Sequence, residues 1–167
     1  MSSFFILGLA LAAIVIILIV TLGGSKKKKE KKELLKTLNE LVQKENSVIT
    51  KKEYCNKAFI AISKESNKLF FVKKAGAADS QIVVDLKEIK RSKVSVVSKT
   101  FERKSDSQKI IEKIMLQLEA NKSNTPPIEL CIYDSEIDGL ILADELQMAE
   151  EWDTVINEQI RDNMLKA

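Results

Sequence analysis

The chain has 167 residues, 45% of them hydrophobic, with 27 lysines and arginines against 24 acids and no histidine. The missing histidine excludes Ser-His-Asp and Cys-His machinery and His-ligated metal within the chain. Two cysteines, Cys55 and Cys131, are too few for a four-cysteine zinc site or a disulfide-dense scaffold, and five glycines with two prolines exclude collagen-like and linker-like chains.

The first element is apolar. Phe4 to Leu22 contains no charged residue. As a helix these residues extend about 28 Å, near the ~30 Å of a bilayer's hydrocarbon core. No basic side chain precedes the run, so it reads as an uncleaved single-pass anchor over 1–24 rather than a signal peptide. Lys26, Lys27, Lys28, Lys29, Lys31 and Lys32 follow directly. The positive-inside rule then places the C-terminal side in the cytoplasm and the short N-terminus outside, at the cell membrane. Residues 25–45 form a basic juxtamembrane helix. Its Leu34, Leu35, Leu38, Leu41 and Val42 share one face. Three roles stay open for that face: packing on the chain's own domain, lying on anionic headgroups, or self-association.

From Asn46 the pattern becomes alternating. Phe59–Ile62 and Leu69–Val72 flank a polar Ser/Asn stretch and read as a β-hairpin. Gln81–Ile89 and Val94–Phe101 read as strands, the second alternating and rich in valine. Ile110–Glu119 fits a helix by Ile110, Ile114 and Leu118, and a strand by Ile114, Leu116 and Leu118. The hairpin-length loop 121–127 after it favours the strand. Ile128–Tyr133 alternates cleanly. Asp144 is placed to cap a closing helix from about Glu145 to Met164, with Met148, Trp152, Val155, Ile156 and Ile160 on one stripe. The expected fold over 46–167 is mainly β: six or seven antiparallel strands, then one amphipathic helix.

That order resembles the pleckstrin-homology-like fold, and especially the small bacterial PH-like domains found on membrane proteins. The resemblance is carried by FIAISKESNKLFFVKK, by QIVVDLKEI with KRSK after it, by IELCIYD, and by EEWDTVINEQI with Trp152. It implies an antiparallel barrel closed by the C-terminal helix, with Trp152, Val155 and Ile156 in the core. Lipid-binding members hold phosphates with basic residues around the first hairpin. Here that hairpin offers Lys64, Lys68, Lys73 and Lys74 without an arginine. Lys64 and Lys68 join the lysines at 26–32 as candidate membrane-surface contacts, attracting anionic lipid without selecting a headgroup. Other domains of this fold bind peptides, or one another, at a strand edge or beside the helix.

Charge is segregated. Residues 46–127 carry 17 basic against nine acidic side chains, net +8, and residues 128–167 carry two against 11, net −9. Aromatics are 5%, and the basic residues are interleaved with acids, so a nucleic-acid partner is not expected. Asp134, Glu136, Asp138, Gly139 and Glu145 follow the spacing of a calcium loop except at Glu136. A strand rather than a helix enters this stretch, so capping of the helix start is the simpler role and no metal is expected. Phosphate-loop, nucleophile-elbow and dinucleotide motifs are absent. The sequence therefore points to a membrane-anchored, non-catalytic binding or assembly module at the cytoplasmic face. It would need no cofactor, its partner would be a protein in or at the bilayer, and homo-oligomers are one option. The alternative is a structural accessory subunit that partners through its transmembrane and juxtamembrane helices.

Overall fold

The computed structural model describes residues 27–74, 79–103 and 106–166. Helix α1 covers 27–44. Asn46 ends it in the left-handed region (φ 46°), with its own N–H donated to the Gln43 carbonyl and the Ser47 N–H to that of Val42, both at 3.0 Å. Asparagine tolerates the conformation that such helix ends require. Strands β1 (Lys51–Cys55), β2 (Ala58–Ser63), β3 (Lys68–Lys73) and β4 (Ser80–Asp85) form an antiparallel meander in that order. Asn56 and Lys57 both have positive φ, which gives the two-residue β1–β2 turn the twist that hairpins prefer. A 3₁₀ turn, Leu86–Glu88, follows, capped by the Asp85 carboxylate accepting from the Lys87 N–H at 2.9 Å. Strands β5 (Ile89–Arg103), β6 (Asp106–Ala120) and β7 (Ile128–Asp134) make a second antiparallel sheet. A short helix α2 (Ser135–Asp138) and the long α3 (Glu145–Lys166) complete the chain.

The main core lies between the sheets. Ile60 and Ile62 of β2, Leu69 and Phe71 of β3, Ile114, Leu116 and Leu118 of β6, and Leu130 and Ile132 of β7 meet Met148, Trp152, Ile156 and Ile160 of α3. The alternation of β6 thus resolves as strand, with its even-numbered apolar residues turned inward. A second cluster lies on the opposite face of the first sheet. There Leu34, Leu38 and Val42 of α1 cover Phe59 and Ala61 of β2 and Phe70 and Val72 of β3. Two buried faces explain why AFIAI and LFFV run apolar without alternating. Of the roles open for the α1 stripe, packing on its own domain is the one seen. Glu45, just past α1, pairs with Lys68, and the Ser47 and Ser66 hydroxyls are 2.8 Å apart, which ties the base of the helix to the β2–β3 turn.

The expectation of a closed barrel is corrected. Among the described residues the strands form two small open sheets, and no ladder joins one sheet to the other. The reason is local. What reads in sequence as one strand over Gln81–Ile89 is cut by the 3₁₀ turn, so β5 starts afresh in the second sheet. At the β5 edge the side chain of Asn157, from α3, takes the place of a neighbouring strand. Its Oδ1 accepts from the Ser92 N–H (2.9 Å) and its Nδ2 donates to the Ser92 carbonyl (3.1 Å).

The expectation of a transmembrane, single-pass protein of the cytoplasmic membrane is likewise corrected. Among the described residues no helix is long and apolar enough to cross a membrane. Helix α1 carries lysines and glutamates throughout, and α3 carries acids along its outer side. Phe4–Leu22, on which that expectation rested, lies outside the described residues, as does Lys26.

The outer face of the second sheet carries an exposed charge cluster. Arg91 forms two bonds to the Glu119 carboxylate, at 2.7 and 2.9 Å, and Lys93 approaches it at 3.0 Å. These hydrogen bonds hold the Glu119 carboxyl down to about 2. A depressed folded-state value means the stabilisation is complete above the ordinary carboxylate range and is lost as pH falls through the folded value. The melting-temperature gap between the native chain and Glu119→Gln should therefore be present near neutral pH and close as the pH approaches 2. A gap that stays constant over that range would show that the cluster contributes nothing through Glu119.

Candidate functional site

The sequence-selected lysines do not converge. Lys27, Lys28, Lys29, Lys31 and Lys32 are exposed on the first turns of α1, and the Lys31 ammonium sits 4.3 Å from the centre of the Tyr54 ring. Lys64 is exposed in the β2–β3 turn, whereas Lys68 is spent on Glu45. Trp152 and Ile156 are buried in the main core, and Val155 packs beside it half-buried. Lys73 is not a surface lysine at all. Its ammonium is buried and donates to the Ile132 carbonyl (3.1 Å) and to Asp138 (2.6 Å).

That buried pair engages one of the acids of the calcium-like spacing. The Asp138 carboxylate is fully buried against the Lys73 ammonium, and Asp134 is paired with Lys113 at 2.8 Å. Asp134 also caps α2, accepting from the Glu136 N–H at 3.1 Å, and Glu145 accepts from the Ala143 N–H at 2.6 Å. Burial alone would raise the Asp134 carboxyl, but its bonds to Lys113 and to the Glu136 N–H hold it below its usual value. Among the described residues no group of three or more acids or thiols could hold a metal ion. A lysine supplies the positive charge that a cation would have brought.

The same contacts pin the chain between β7 and α3. The Tyr133 hydroxyl donates to the Gly139 carbonyl at 2.7 Å, and the Lys57 ammonium to that of Ile137 at 3.0 Å. Gly139 takes a φ of 90°, which favours glycine. Just past these bonds Leu140 and Ile141 are 76% and 87% exposed, and Ile137 is 39% exposed. The connection leads to Asp144 at the mouth of a cleft of about 360 Å³ between β1 and the first turns of α3. Glu53, Asp144 and Glu151 line it with carboxylates, Tyr54 and Met148 with apolar surface. β1 is an outer strand, so among the described residues its far edge has no strand beside it. The Glu53 carboxylate accepts from the Trp152 indole N–H at 2.8 Å, which couples the cleft wall to the core.

Thiolate chemistry is suppressed here. Burial, then the charges of Glu145, Asp144 and Glu53, push the Cys55 thiol up to about 11, and burial also raises Cys131. Both shifts disfavour the thiolate, which is the nucleophilic form. The cleft offers charge, apolar surface and a strand edge. Sequence reading missed the cleft because KKEYC has no apolar alternation to mark β1. The cue was present in the isolated acids of the closing segment and the apolar Leu140 and Ile141 among them.

Compared with known proteins, the chain matches no family, no curated protein and no solved structure.

Proposed function

We propose that the chain is a non-catalytic binding module that takes a basic, apolar-containing segment of a protein partner at the face formed by β1, the 139–144 connection and the start of α3. The observation that carries this reading is the exposure of Leu140 and Ile141, directly after residues 137–139, which three side-chain bonds hold, and beside a carboxylate-lined cleft. Exposed apolar side chains of this size make effective anchors, because each contributes about 1.5–3 kcal/mol when covered. The carboxylates favour lysine or arginine on the partner and select against acidic segments. The unpaired edge of β1 can add main-chain hydrogen bonds to an extended segment.

Selection of random displayed peptides on the immobilised full chain tests the reading. Enriched peptides should combine basic and apolar residues. Their binding should weaken at least about tenfold in Leu140→Glu/Ile141→Glu, a change on exposed positions that leaves the core untouched. Enrichment of acidic peptides, or binding that survives the double substitution, would overturn it.

A further inference from the structure

The strands of the second sheet are unequal in reach. β7 pairs with β6 only from Lys113 to Leu118, whereas β5 and β6 stay paired as far as Arg103 and Asp106. Past the end of β7, the six pairs from Ser98–Ile111 to Arg103–Asp106 form a two-stranded ribbon about 20 Å long. Among the described residues no third strand pairs with it. Such a ribbon is marginal on its own in water, and its edges are open to another strand. Val96, Val97 and Ile110 are exposed at its root, as is Lys99. By sequence, residues 98–111 hold four basic side chains against two acidic ones. The ribbon leaves the body beside the acidic face. Lys113, the last β6 residue paired with β7 on that side, bonds Asp134, which caps α2. The Ile137 carbonyl of α2 in turn accepts from Lys57 in the β1–β2 turn. α2 thus joins the root of the ribbon to the Cys55 end of β1, and both lie at one end of the molecule.

We infer that the segment taken at the acidic face is this ribbon, supplied by a second copy of the chain. The inference rests on the reading of that face proposed above, and names its partner. The ribbon is extended, net basic and apolar at its root. The face answers it with the carboxylates of Glu53, Asp144 and Glu151 and with exposed Leu140 and Ile141. The open edge of β6 can be set along the open edge of β1, adding main-chain hydrogen bonds. Because ribbon and face share one end of the molecule, a two-fold axis lets each copy place its ribbon on the other. That gives two identical contacts and a closed dimer.

Sedimentation velocity of the full chain over a concentration series is the test. The native chain should show a reversible monomer–dimer equilibrium that weakens as salt is added. Val97→Glu/Ile110→Glu on the ribbon and Leu140→Glu/Ile141→Glu on the face, all at exposed positions, should each weaken the dimer at least about tenfold. An equimolar mixture of the two variants should associate more tightly than either alone, because one native ribbon then meets one native face. Pairing of ribbon with ribbon, or association through any other part of the chain, gives no such recovery. A native chain that stays monomeric, a dimer indifferent to both double substitutions, or a mixture without recovery would overturn the inference. Displayed peptides that still bind the face of a monomeric chain would uphold the reading of the face and refute only the second copy as its partner.

Discussion

Trp152→Ala is expected to destabilise the chain by about 3–5 kcal/mol. Trp152 is the largest fully buried side chain and projects from α3 into the core shared by both sheets. Truncation removes its apolar area from the core and leaves a cavity whose walls belong to separate elements, so collapse around it is restricted. It also leaves the Glu53 carboxylate without the indole donor, and the Lys51 ammonium without the ring it faces at 5.1 Å. Domains of this size are stable by only about 5–15 kcal/mol, so the loss is a large share of the total. Urea denaturation followed by far-ultraviolet circular dichroism is the suitable measurement, since the substitution removes the chain's single tryptophan and with it the fluorescence signal. Trp152→Phe should retain much of the packing and lose the indole bond. An unchanged midpoint for Trp152→Ala would mean that α3 is not docked between the sheets.

Lys73→Met is expected to cost about 3–5 kcal/mol, chiefly through what it leaves behind. With the ammonium gone, the Asp138 carboxylate stays buried without a counter-charge. Its Oδ1 already lacks a hydrogen-bond partner, and its Oδ2 retains the Asp134 N–H at 2.9 Å. A buried ion pair contributes less than its Coulomb energy suggests, because both ions are desolvated, yet removing one partner is costly. Lys73→Met/Asp138→Leu should therefore recover part of the loss. A double-mutant cycle should return a coupling of roughly 1–3 kcal/mol. Additive effects would show that the two side chains lie together with no energetic link between β3 and α2.

β6, β7 and α3 are legible in the sequence because each carries its periodicity into the core, and the β2–β3 hairpin because two short apolar runs flank a polar turn. Leu116 and Leu118 point inward on β6, and Trp152, Ile156 and Ile160 fall along one side of α3. β1 is illegible for the opposite reason. Edge strand Lys51–Cys55 has no fully buried residue and no period-2 pattern, and its turn is made by Asn-Lys rather than by a glycine pair. The break at Leu86–Glu88 is hidden because its apolar Leu86 and Ile89 remain core residues on either side of the turn. The closed barrel followed from the resemblance of element order, but closure depends on edges meeting, and one asparagine, Asn157, occupies such an edge without leaving a pattern. The acidic cleft is no motif. It unites Glu53 with Glu151 across a separation that only the fold closes.

The packing of α1 on the first sheet bears on how the chain ages in a cell. Phe59, Phe70 and Val72 are shielded by one helix whose own first turns are exposed lysines, the residues that trypsin-like proteases cut after. A nick that released this helix would not liberate a tidy remnant. It would uncover a contiguous aromatic and aliphatic face on two central strands, a surface of the kind that quality-control machinery recognises and that drives coaggregation. Loss of α1 should therefore cost the chain its solubility as well as its stability.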